Sequence, residues 1–405
     1  MISVFVDHKI ATQLLDRYGS PLYVYSEKIL RERCRDLREA FCGRIKPSYS
    51  VKANTNPSLL KIIHEEGLSA DAMSPGEIFV LQNSGFSPED IFYIGNNVSR
   101  EEMSYCAERG ILVSVDSLSQ LEQFGKICPG GKVAVRFNPG TGAGHCDKVV
   151  TAGHKTKFGV QPEFCPEVKK ILERYSLKLT GINQHIGSLF LEPDPYADAA
   201  ESLLNMISEH FPGLEFIDFG GGFGVPYRPG EKRLDLTELS LIMFDKIDRF
   251  LEQYDNKDIH FKCEPGRYIS AECGELLGTV HAVKMNYGKC YIGTDIGFNV
   301  MMRHVLYNSY HEIEVLSGKK SENGIKEATI VGNICESGDI LASDRVIGPV
   351  SEGDIISVKN AGAYGYSMAS NYNCRLRPAE VLISEDGTVR LIRKADTLES
   401  LMANF

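Results

Sequence analysis

The 405-residue sequence lacks several features that would place it in other classes of protein. It has no run of about 18 uninterrupted apolar residues, which a membrane-spanning helix needs. Its 11 cysteines form no CxxC pair and no zinc-like spacing, so we expect neither a metal site nor a secreted disulfide framework. The formal net charge of -10 argues against nonspecific binding to nucleic acid. The amino terminus also lacks the basic-then-apolar layout of a signal peptide, so a cytoplasmic protein is expected.

The composition that remains is typical of a large globular protein. Hydrophobic residues make up 43% of the chain and charged residues 24%. The length suits two domains, one of which could be a barrel of about 250 residues.

Short β-type runs rich in Val, Ile, Phe and Tyr recur between Ser48 and Glu264, as is typical of buried parallel strands. Eight strands are predicted there, at Ser48–Val51, Leu68–Ala72, Ile91–Ile94, Leu112–Val115, Lys132–Phe137, Leu179–His185, Glu215–Phe219 and His260–Glu264.

Helical patterns separate these strands, and several have recognisable starts. Ser99, with Glu102 three residues later, has the form of a capping box. The predicted helices are Pro57–Glu66, Pro75–Asn83, the run from Ser99 to Arg109, Ser117–Lys126, Pro162–Tyr175, Asp194–His210 and Thr237–Tyr254. Eight strands alternating with helices predict a (β/α)8 barrel of the TIM type.

After Glu264 the pattern changes to strands without long helices between them. These are Thr279–Met285, Lys289–Asp295, Glu312–Leu316, Glu327–Ile334, Asp354–Lys359 and a final hairpin, Ala379–Ile383 with the strand that ends at Arg393. We therefore predict a barrel over 21–265 and a mostly antiparallel β domain over 266–405, with residues 1–20 packing on the latter. The Gly-rich stretch Asn138–Lys155 is a long loop of the kind that often has a function.

The carboxyl ends of the predicted strands, where barrels place their active sites, carry polar residues. Lys52 follows the first strand and Asp71 lies in the second. Gly220–Gly222 follows the seventh strand, and Glu264 and Arg267 follow the eighth, where barrels commonly bind phosphate. Bare glycines let backbone N–H groups approach phosphate oxygens, and arginine adds charge-assisted hydrogen bonds. A lysine opposite such a site can form an imine with a phosphorylated aldehyde, so the pattern indicates pyridoxal 5'-phosphate, with Glu264 keeping the ring nitrogen protonated.

Each residue also has a purely structural interpretation. Lys52 alone could be a surface lysine, and three glycines can simply turn the chain. His185, at the end of the sixth strand, is by itself more often a hydrogen-bonded structural histidine than a catalytic one. Glu264 and Arg267 could pair with each other. The functional interpretation is favoured because all of these residues fall at strand ends on one face of one predicted barrel.

Eight motifs spread along the chain read Tyr49-Ser-Val-Lys-Ala-Asn54, Ser74-Pro-Gly-Glu77, Lys157-Phe-Gly159, His185-Ile-Gly-Ser188, Gly220-Gly-Gly222, Glu264-Pro-Gly-Arg267, Cys335-Glu-Ser-Gly-Asp339 and Gly362-Ala-Tyr364. On these motifs the chain, from Pro21 to Arg393, resembles the alanine-racemase-like, fold-type III decarboxylases, and within them the diaminopimelate decarboxylases.

The resemblance implies a role for each site residue. Lys52 would hold the cofactor as a Schiff base, His185 would stack on its ring and Glu264 would bind its pyridine nitrogen. The residues implied around the cofactor and its phosphate are Asp71, Ser188, Gly221, Gly222, Gly266, Arg267 and Tyr364. Those implied for the substrate are Arg267, Arg303, Tyr307, Glu336 and Tyr364. Cys335 would return a proton to the α-carbon, and Cys335 and Glu336 would be supplied across the interface of a homodimer.

The implied reaction is the decarboxylation of meso-2,6-diaminopimelate to L-lysine and carbon dioxide, the last step of lysine biosynthesis. The far end of this substrate is a second amino-acid head, which needs a cation and an anion together. Arg303 can clamp the distal carboxylate bidentately, and Glu336 can pair with the distal ammonium. On sequence alone, Arg303 could instead form a surface ion pair, Glu336 could be a solvated carboxylate, and Cys335 could be a buried structural thiol.

The sequence departs from the family pattern at three places. His304 follows Arg303 where members commonly have proline, Leu376 also replaces a usual proline, and the loop 138–145 lacks an expected Asp-Thr-His pattern. Other substrates with a distal amine therefore stay open, among them carboxynorspermidine, ornithine, lysine and secondary-metabolite precursors. Racemisation on the same fold is disfavoured by Glu264, and a cofactor-binding protein without catalysis is disfavoured by the long β domain.

Overall fold

The computed structural model describes residues 5–140, 151–153, 156–317 and 326–405. The chain folds into two compact units. The barrel unit comprises Arg31–Val225 and Arg233–Ile269. The sheet unit comprises the described residues up to Leu30, Pro226–Lys232 and Ser270–Phe405. Among the described helices, none has both the length and the apolar composition that crossing a bilayer requires.

The described chain opens with helix α1 (His8–Tyr18), strand β1 (Leu22–Ser26) and helix α2 (Glu27–Phe41). The Asp7 side chain caps α1 by accepting a hydrogen bond from the Ile10 N–H at 2.8 Å. The boundary between the two units falls within α2, so β1 belongs to the sheet unit.

Eight parallel strands close the barrel, which confirms the predicted fold class. Closure is completed where the last strand returns to the first, with Ile45 in register with Phe261. The strands are β2 (Ile45–Ser50), β3 (Ser69–Ala72), β4 (Ile91–Tyr93), β5 (Leu112–Val115), β6 (Lys132–Arg136), β7 (Lys178–Asn183), β8 (Phe216–Asp218) and β9 (His260–Cys263).

Helices alternate with these strands close to their predicted bounds. Ser99 and Glu102 form the predicted capping box, since each side chain accepts a hydrogen bond from the other's backbone N–H, at 3.2 and 2.8 Å. The helices are α3 (Pro57–Glu65), α4 (Pro75–Asn83), α5 (Arg100–Glu108), α6 (Leu118–Ile127), α7 (Cys165–Arg174), α8 (Asp194–His210), α9 (Leu236–Gln253) and the short α10 (Arg267–Ser270).

Side chains fill the interior of the barrel. The rings of Phe92 on β4 and Phe216 on β8 meet edge to face at 5.4 Å, although these two strands do not pair. Their contact must therefore cross the interior. Towards the carboxyl ends the interior becomes polar, with Asp71, Asn183 and Asp218 fully buried. Aromatic packing thus occupies part of the barrel interior, and buried acids collect towards the carboxyl ends of the strands, where a barrel binds its ligands.

The sheet unit is mostly antiparallel, as predicted, with β1 parallel to β16 and β11 parallel to β13 as exceptions. Apolar residues of β1, β10 and β16, such as Val24, Leu277 and Val381, form its core. The elements are β10 (Gly274–Asn286), β11 (Lys289–Thr294), α11 (Arg303–Tyr307), β12 (Ile313–Leu316), β13 (Lys326–Val331), β14 (Ile340–Ile347), β15 (Ile355–Val358), β16 (Ala379–Ile383), β17 (Val389–Arg393) and α12 (Leu398–Leu401).

Several of the described elements differ from the sequence-based expectation. β14 is absent from the prediction because Asp344 and Arg345 interrupt its apolar pattern. The helices α1, α2, α10, α11 and α12 are also absent from it. The predicted barrel range 21–265 includes β1, whereas this strand lies in the sheet between β10 and β16, because its partners are strands that follow the barrel in the sequence. Residues 141–150 and 154–155 of the predicted long loop lie outside the described residues.

Candidate active site

Lys52 lies in a single 3-10 turn, Val51–Ala53, that directly follows β2. The two flanking residues are buried, and the lysine is half-buried. Strand register places Ser50 beside Asp71, whose carboxyl group is fully buried. Burial raises the pKa of Asp71 to about 7, against the opposing effect of the Lys52 charge. The amine therefore has a nearby acid that can gain or lose a proton near neutral pH.

Glu264 follows β9 and is only 4% exposed. Its Oε1 has no hydrogen-bond partner among the described residues, and its Oε2 lies 3.9 Å from His185 Nδ1. Burial raises the pKa of Glu264 well above its usual range, and the nearby Asp218 and Asp71 act in the same direction. Leaving such an oxygen unpaired costs roughly 1–3 kcal/mol. A protonated pyridine nitrogen would supply the missing donor, so this position fits pyridoxal phosphate.

His185 follows β7 and has a fixed tautomer. Its Nδ1 accepts a hydrogen bond from the Gly221 N–H at 3.1 Å, so the proton of the neutral ring is on Nε2. Burial lowers the pKa of His185 well below its usual range, and the positive charges of Lys52 and Arg136 lower it further. The site therefore contains an uncharged imidazole in a defined orientation.

Two glycines after β8 let the chain pass close to its neighbours. A Cβ at Gly221 would lie 1.9 Å from the carbonyl oxygen of Glu264. One at Gly222, where φ is +108°, would lie 2.3 Å from the ring of Phe190. Neither position can accept a side chain without displacing its neighbours.

The loop after β9 lies against the turn that carries Lys52. A Cβ at Gly266 would lie 3.0 Å from the Cβ of Ser50. The next residue, Arg267, donates hydrogen bonds from Nε and one terminal nitrogen to Ser188 Oγ at 3.3 and 3.0 Å. A guanidinium, a hydroxyl and glycine backbone are the groups that commonly hold a phosphate.

Arg303 begins α11 in the sheet unit and is 2% exposed. Three tyrosine rings surround its guanidinium, with centroids 5.9, 5.8 and 5.5 Å from Cζ for Tyr227, Tyr307 and Tyr364. Arg303 is therefore not a surface ion-pair residue, and the structure brings it together with two of its predicted partners.

Cys335 and Glu336 lie on an exposed loop after β13. The Cys335 N–H donates to Asn373 Oδ1 at 2.9 Å, and the Tyr372 hydroxyl donates to Glu336 Oε1 at 2.6 Å. Cys335 is thus not the buried structural thiol that the sequence left open. The buried Asp339 shapes the loop by accepting a hydrogen bond from the Ile334 N–H at 2.8 Å.

Within the barrel unit the structure gathers the predicted cofactor residues Lys52, Asp71, His185, Ser188, Gly221, Gly222, Glu264, Gly266 and Arg267 around the carboxyl ends of the strands. Within the sheet unit it gathers Arg303, Tyr307 and Tyr364, and it exposes Cys335 and Glu336.

Two further residues belong to the barrel set although the sequence analysis gave them no role. Asp218 is fully buried, its Oδ1 accepts the Gly220 N–H at 2.9 Å, and burial raises its pKa to about 6. Arg136 is also buried, and one of its terminal nitrogens lies 3.4 Å from the backbone oxygen of His185. Both lie near the carboxyl ends of predicted strands, and from that position they could have been predicted as site residues.

A profile of the family described as "Pyridoxal-dependent decarboxylase, pyridoxal binding domain" matches residues 27–271. The diaminopimelate decarboxylase of Methanothermobacter thermautotrophicus is 41% identical over 400 residues, which covers 97% of this chain and 93% of that protein. The Escherichia coli K12 diaminopimelate decarboxylase is 32% identical over 400 residues, covering 95% of this chain and 94% of its own length.

The fold of this chain also closely matches that of solved structures. Diaminopimelate decarboxylase from Helicobacter pylori in complex with L-lysine matches with a TM-score of 0.89 at 30% identity, over 97% of this chain and 98% of that one. This extent of similarity shows that the chain belongs to the diaminopimelate decarboxylase family of pyridoxal-dependent decarboxylases.

Proposed function

We propose that this chain removes carbon dioxide from the D-centre of meso-2,6-diaminopimelate and releases L-lysine, the last step of lysine biosynthesis. As a member of its family, it is a carboxy-lyase that depends on pyridoxal 5'-phosphate. The observation that carries the choice of substrate is the buried Arg303 among three tyrosines, because a guanidinium there can bind a second carboxylate. Ornithine has no distal carboxylate to match it.

The barrel residues would hold the cofactor. Lys52 supplies the amine that binds its aldehyde, and Glu264 supplies the carboxyl group for its ring nitrogen. Arg267 and Ser188, together with the backbone at Gly222 and its neighbours Gly221 and Gly266, would hold the phosphate. When bound, pyridoxal phosphate accepts the electron pair that departing carbon dioxide leaves behind.

The electrostatics of the barrel suit this role. Because burial and Asp218 favour the protonated form of Glu264, a proton can be held between this carboxyl group and a ring nitrogen. His185 is neutral and so adds no positive charge beside a cationic ring, on which its imidazole can stack. The positive charge of Lys52 favours the ionised form of Asp71, against the effect of burial.

The sheet-unit residues would select the substrate. Arg303 and Tyr307 would bind the distal carboxylate, and Arg267 and Tyr364 would also contact the substrate. Glu336 would pair with the distal ammonium. These assignments give each charged group at the far end of the substrate a partner of opposite charge.

Cys335 would return a proton to the α-carbon. Cys335 and Glu336 are exposed in the single chain, whereas a proton donor and a recognition carboxylate work best away from water. A homodimer in which each subunit supplies this pair to its partner's site would bury them. We also propose that the enzyme works in the cytoplasm, where its cysteines would stay reduced.

The test is to incubate the purified, cofactor-loaded protein separately with meso-diaminopimelate, L-lysine, L-ornithine and carboxynorspermidine, and to measure carbon dioxide and the product. Carbon dioxide with stoichiometric L-lysine is expected from meso-diaminopimelate alone. Turnover of ornithine or carboxynorspermidine without turnover of diaminopimelate would overturn the substrate assignment. Bound cofactor without any turnover would indicate a non-catalytic binding protein.

A further inference from the structure

The guanidinium of Arg303 is held by a histidine that the site described so far does not include. His311, just before β12, is 5% exposed, and its Nε2 lies 3.3 Å from Arg303 Nε. Its Nδ1 lies 2.8 Å from the backbone oxygen of Lys359. The imidazole therefore links the arginine to the chain that follows β15.

These two contacts define which ring nitrogen carries the proton. A backbone oxygen only accepts hydrogen bonds, so Nδ1 of His311 must be the N–H donor to Lys359. In the neutral ring Nε2 then has a lone pair, and it accepts the Nε–H of Arg303. The opposite tautomer would turn an N–H towards a cation and leave the carbonyl without this donor.

The surroundings hold His311 in place. Its ring packs edge to face against Tyr227 at 5.1 Å between centroids, and Tyr227 also lies over Arg303. The Lys359 N–H donates to the backbone oxygen of Glu312 at 2.9 Å, which ties the residue after His311 to the same segment. The position of the imidazole is thus set by backbone pairing and aromatic packing, independently of any ligand.

The arginine has a second protein contact next to the first. One of its terminal nitrogens donates to Ser309 Oγ at 3.3 Å. Two acceptors at neighbouring nitrogens fix the plane of the guanidinium, which would otherwise rotate about its side-chain bonds. Bidentate binding of a carboxylate depends on that plane, because both N–H···O bonds must form together.

We propose that His311 is a positioning residue for the specificity of the reaction. It orients Arg303 for the distal carboxylate of the substrate by accepting the Nε–H. This inference rests on the proposed function, in which Arg303 binds that carboxylate.

Two conservative variants of the holoenzyme separate the contacts. H311Q places an amide group near the position of Nε2 and can still accept from Arg303. H311N places its amide near the position of Nδ1 and can contact only Lys359. In H311N the KM for meso-diaminopimelate and the inhibition constant of L-lysine should both rise roughly tenfold, with kcat within about twofold of wild type. In H311Q most of both values should be restored.

Inhibition by 1,5-diaminopentane, which has no carboxylate, should be the same in both variants and in wild type. The proposal is overturned if H311N leaves the KM unchanged, if H311N weakens L-lysine and diaminopentane equally, or if H311Q is as impaired as H311N. H281Q, at an exposed histidine of the same unit, is the control for losing an imidazole. Near-ultraviolet circular dichroism and the absorbance of bound cofactor verify that each variant is folded.

R303L separates failure of this inference from failure of the proposed function. If R303L leaves the KM for meso-diaminopimelate unchanged, Arg303 does not bind the substrate, and the proposed role of the arginine fails together with that of His311. If R303L raises the KM and H311N does not, only the positioning role fails.

Discussion

The two units place their functional residues in different environments. In the barrel unit the acids Asp71, Asp218 and Glu264 are buried, and burial raises the pKa of each. In the sheet unit Cys335 and Glu336 lie on an exposed loop. Strand ends can hold a fixed cluster of charges for cofactor chemistry, whereas a loop can change its side chains without disturbing a core. The recognition carboxylate of Glu336 can therefore vary in this chain without disturbing the buried acids of the barrel unit.

The strongest test of the comparison is at Lys52. K52A should lower the rate of meso-diaminopimelate turnover by at least about 10³-fold, because the amine that binds the cofactor is lost. K52R is the matched variant, since it keeps a positive charge beside Asp71 without a reactive amine, and it should be equally inactive. Carbon dioxide release measures the effect, and borohydride reduction of the wild type should leave the cofactor on the peptide that contains Lys52. Retained activity in K52R would contradict the assignment.

The exposed loop is tested at Cys335. C335A should lower kcat by about 10²-fold or more, as expected for loss of a general acid. If the cysteine serves the partner's site, mixing K52A with C335A under subunit exchange should restore roughly a quarter of wild-type activity, because half of the dimers are mixed and each has one complete site. Steady-state kinetics measures both. No recovery in mixtures that analytical ultracentrifugation shows to contain exchanged dimers would place Cys335 in its own subunit's site.

A smaller effect is expected at Arg303, because this residue is proposed to bind the substrate and not to take part in the chemical step. R303L should lower kcat/KM for meso-diaminopimelate by about 10²-fold, mainly through KM, because a bidentate charged contact is removed. R390L, at a half-exposed arginine on β17, is the control and should leave both constants unchanged. Loss in kcat alone would assign Arg303 to catalysis.

The smallest effect is expected from the buried acids, which should make the stability of the folded protein depend on pH. Burial raises the pKa of Asp218 from 3.8 to about 6, so the folded protein binds more protons than the unfolded chain in this range. This group therefore destabilises the cofactor-free protein progressively as pH rises from about 4 to 6. D218N removes this destabilisation. The difference in Tm between the two proteins, variant minus wild type, should therefore become about 2–6 °C more positive as the pH rises from 4.5 to 7.5.

Differential scanning calorimetry measures this shift. D198N, at an exposed aspartate on α8, is the control and should show a flat difference across the same pH range. A flat difference for D218N as well would mean that Asp218 titrates as an exposed acid does.

Much of the fold and part of the candidate site could be predicted from the sequence. The eight barrel strands are short and most of their residues are buried, and their alternation with helical patterns is sufficient to predict them. Lys52 and Glu264 could be found because a parallel barrel brings strand ends to one face. β14 was missed because its pairing with β13, and not its composition, makes it a strand. The burial of Asp218, and the placement of Tyr227 and His311 around Arg303, depend on segments far apart in sequence, which local patterns do not reveal.

The position of β1 has a consequence for how the chain is made. This strand is synthesised before the barrel strands, yet its two neighbours in the sheet are β10 and β16, and β16 ends at Ile383. The barrel strands leave the ribosome before β10 and β16 and can pair among themselves, while β1 must wait until Ile383 has been synthesised before both of its edges are covered. During that interval it presents open backbone to other nascent chains, so translation that stops short of β16 would yield a product prone to aggregate.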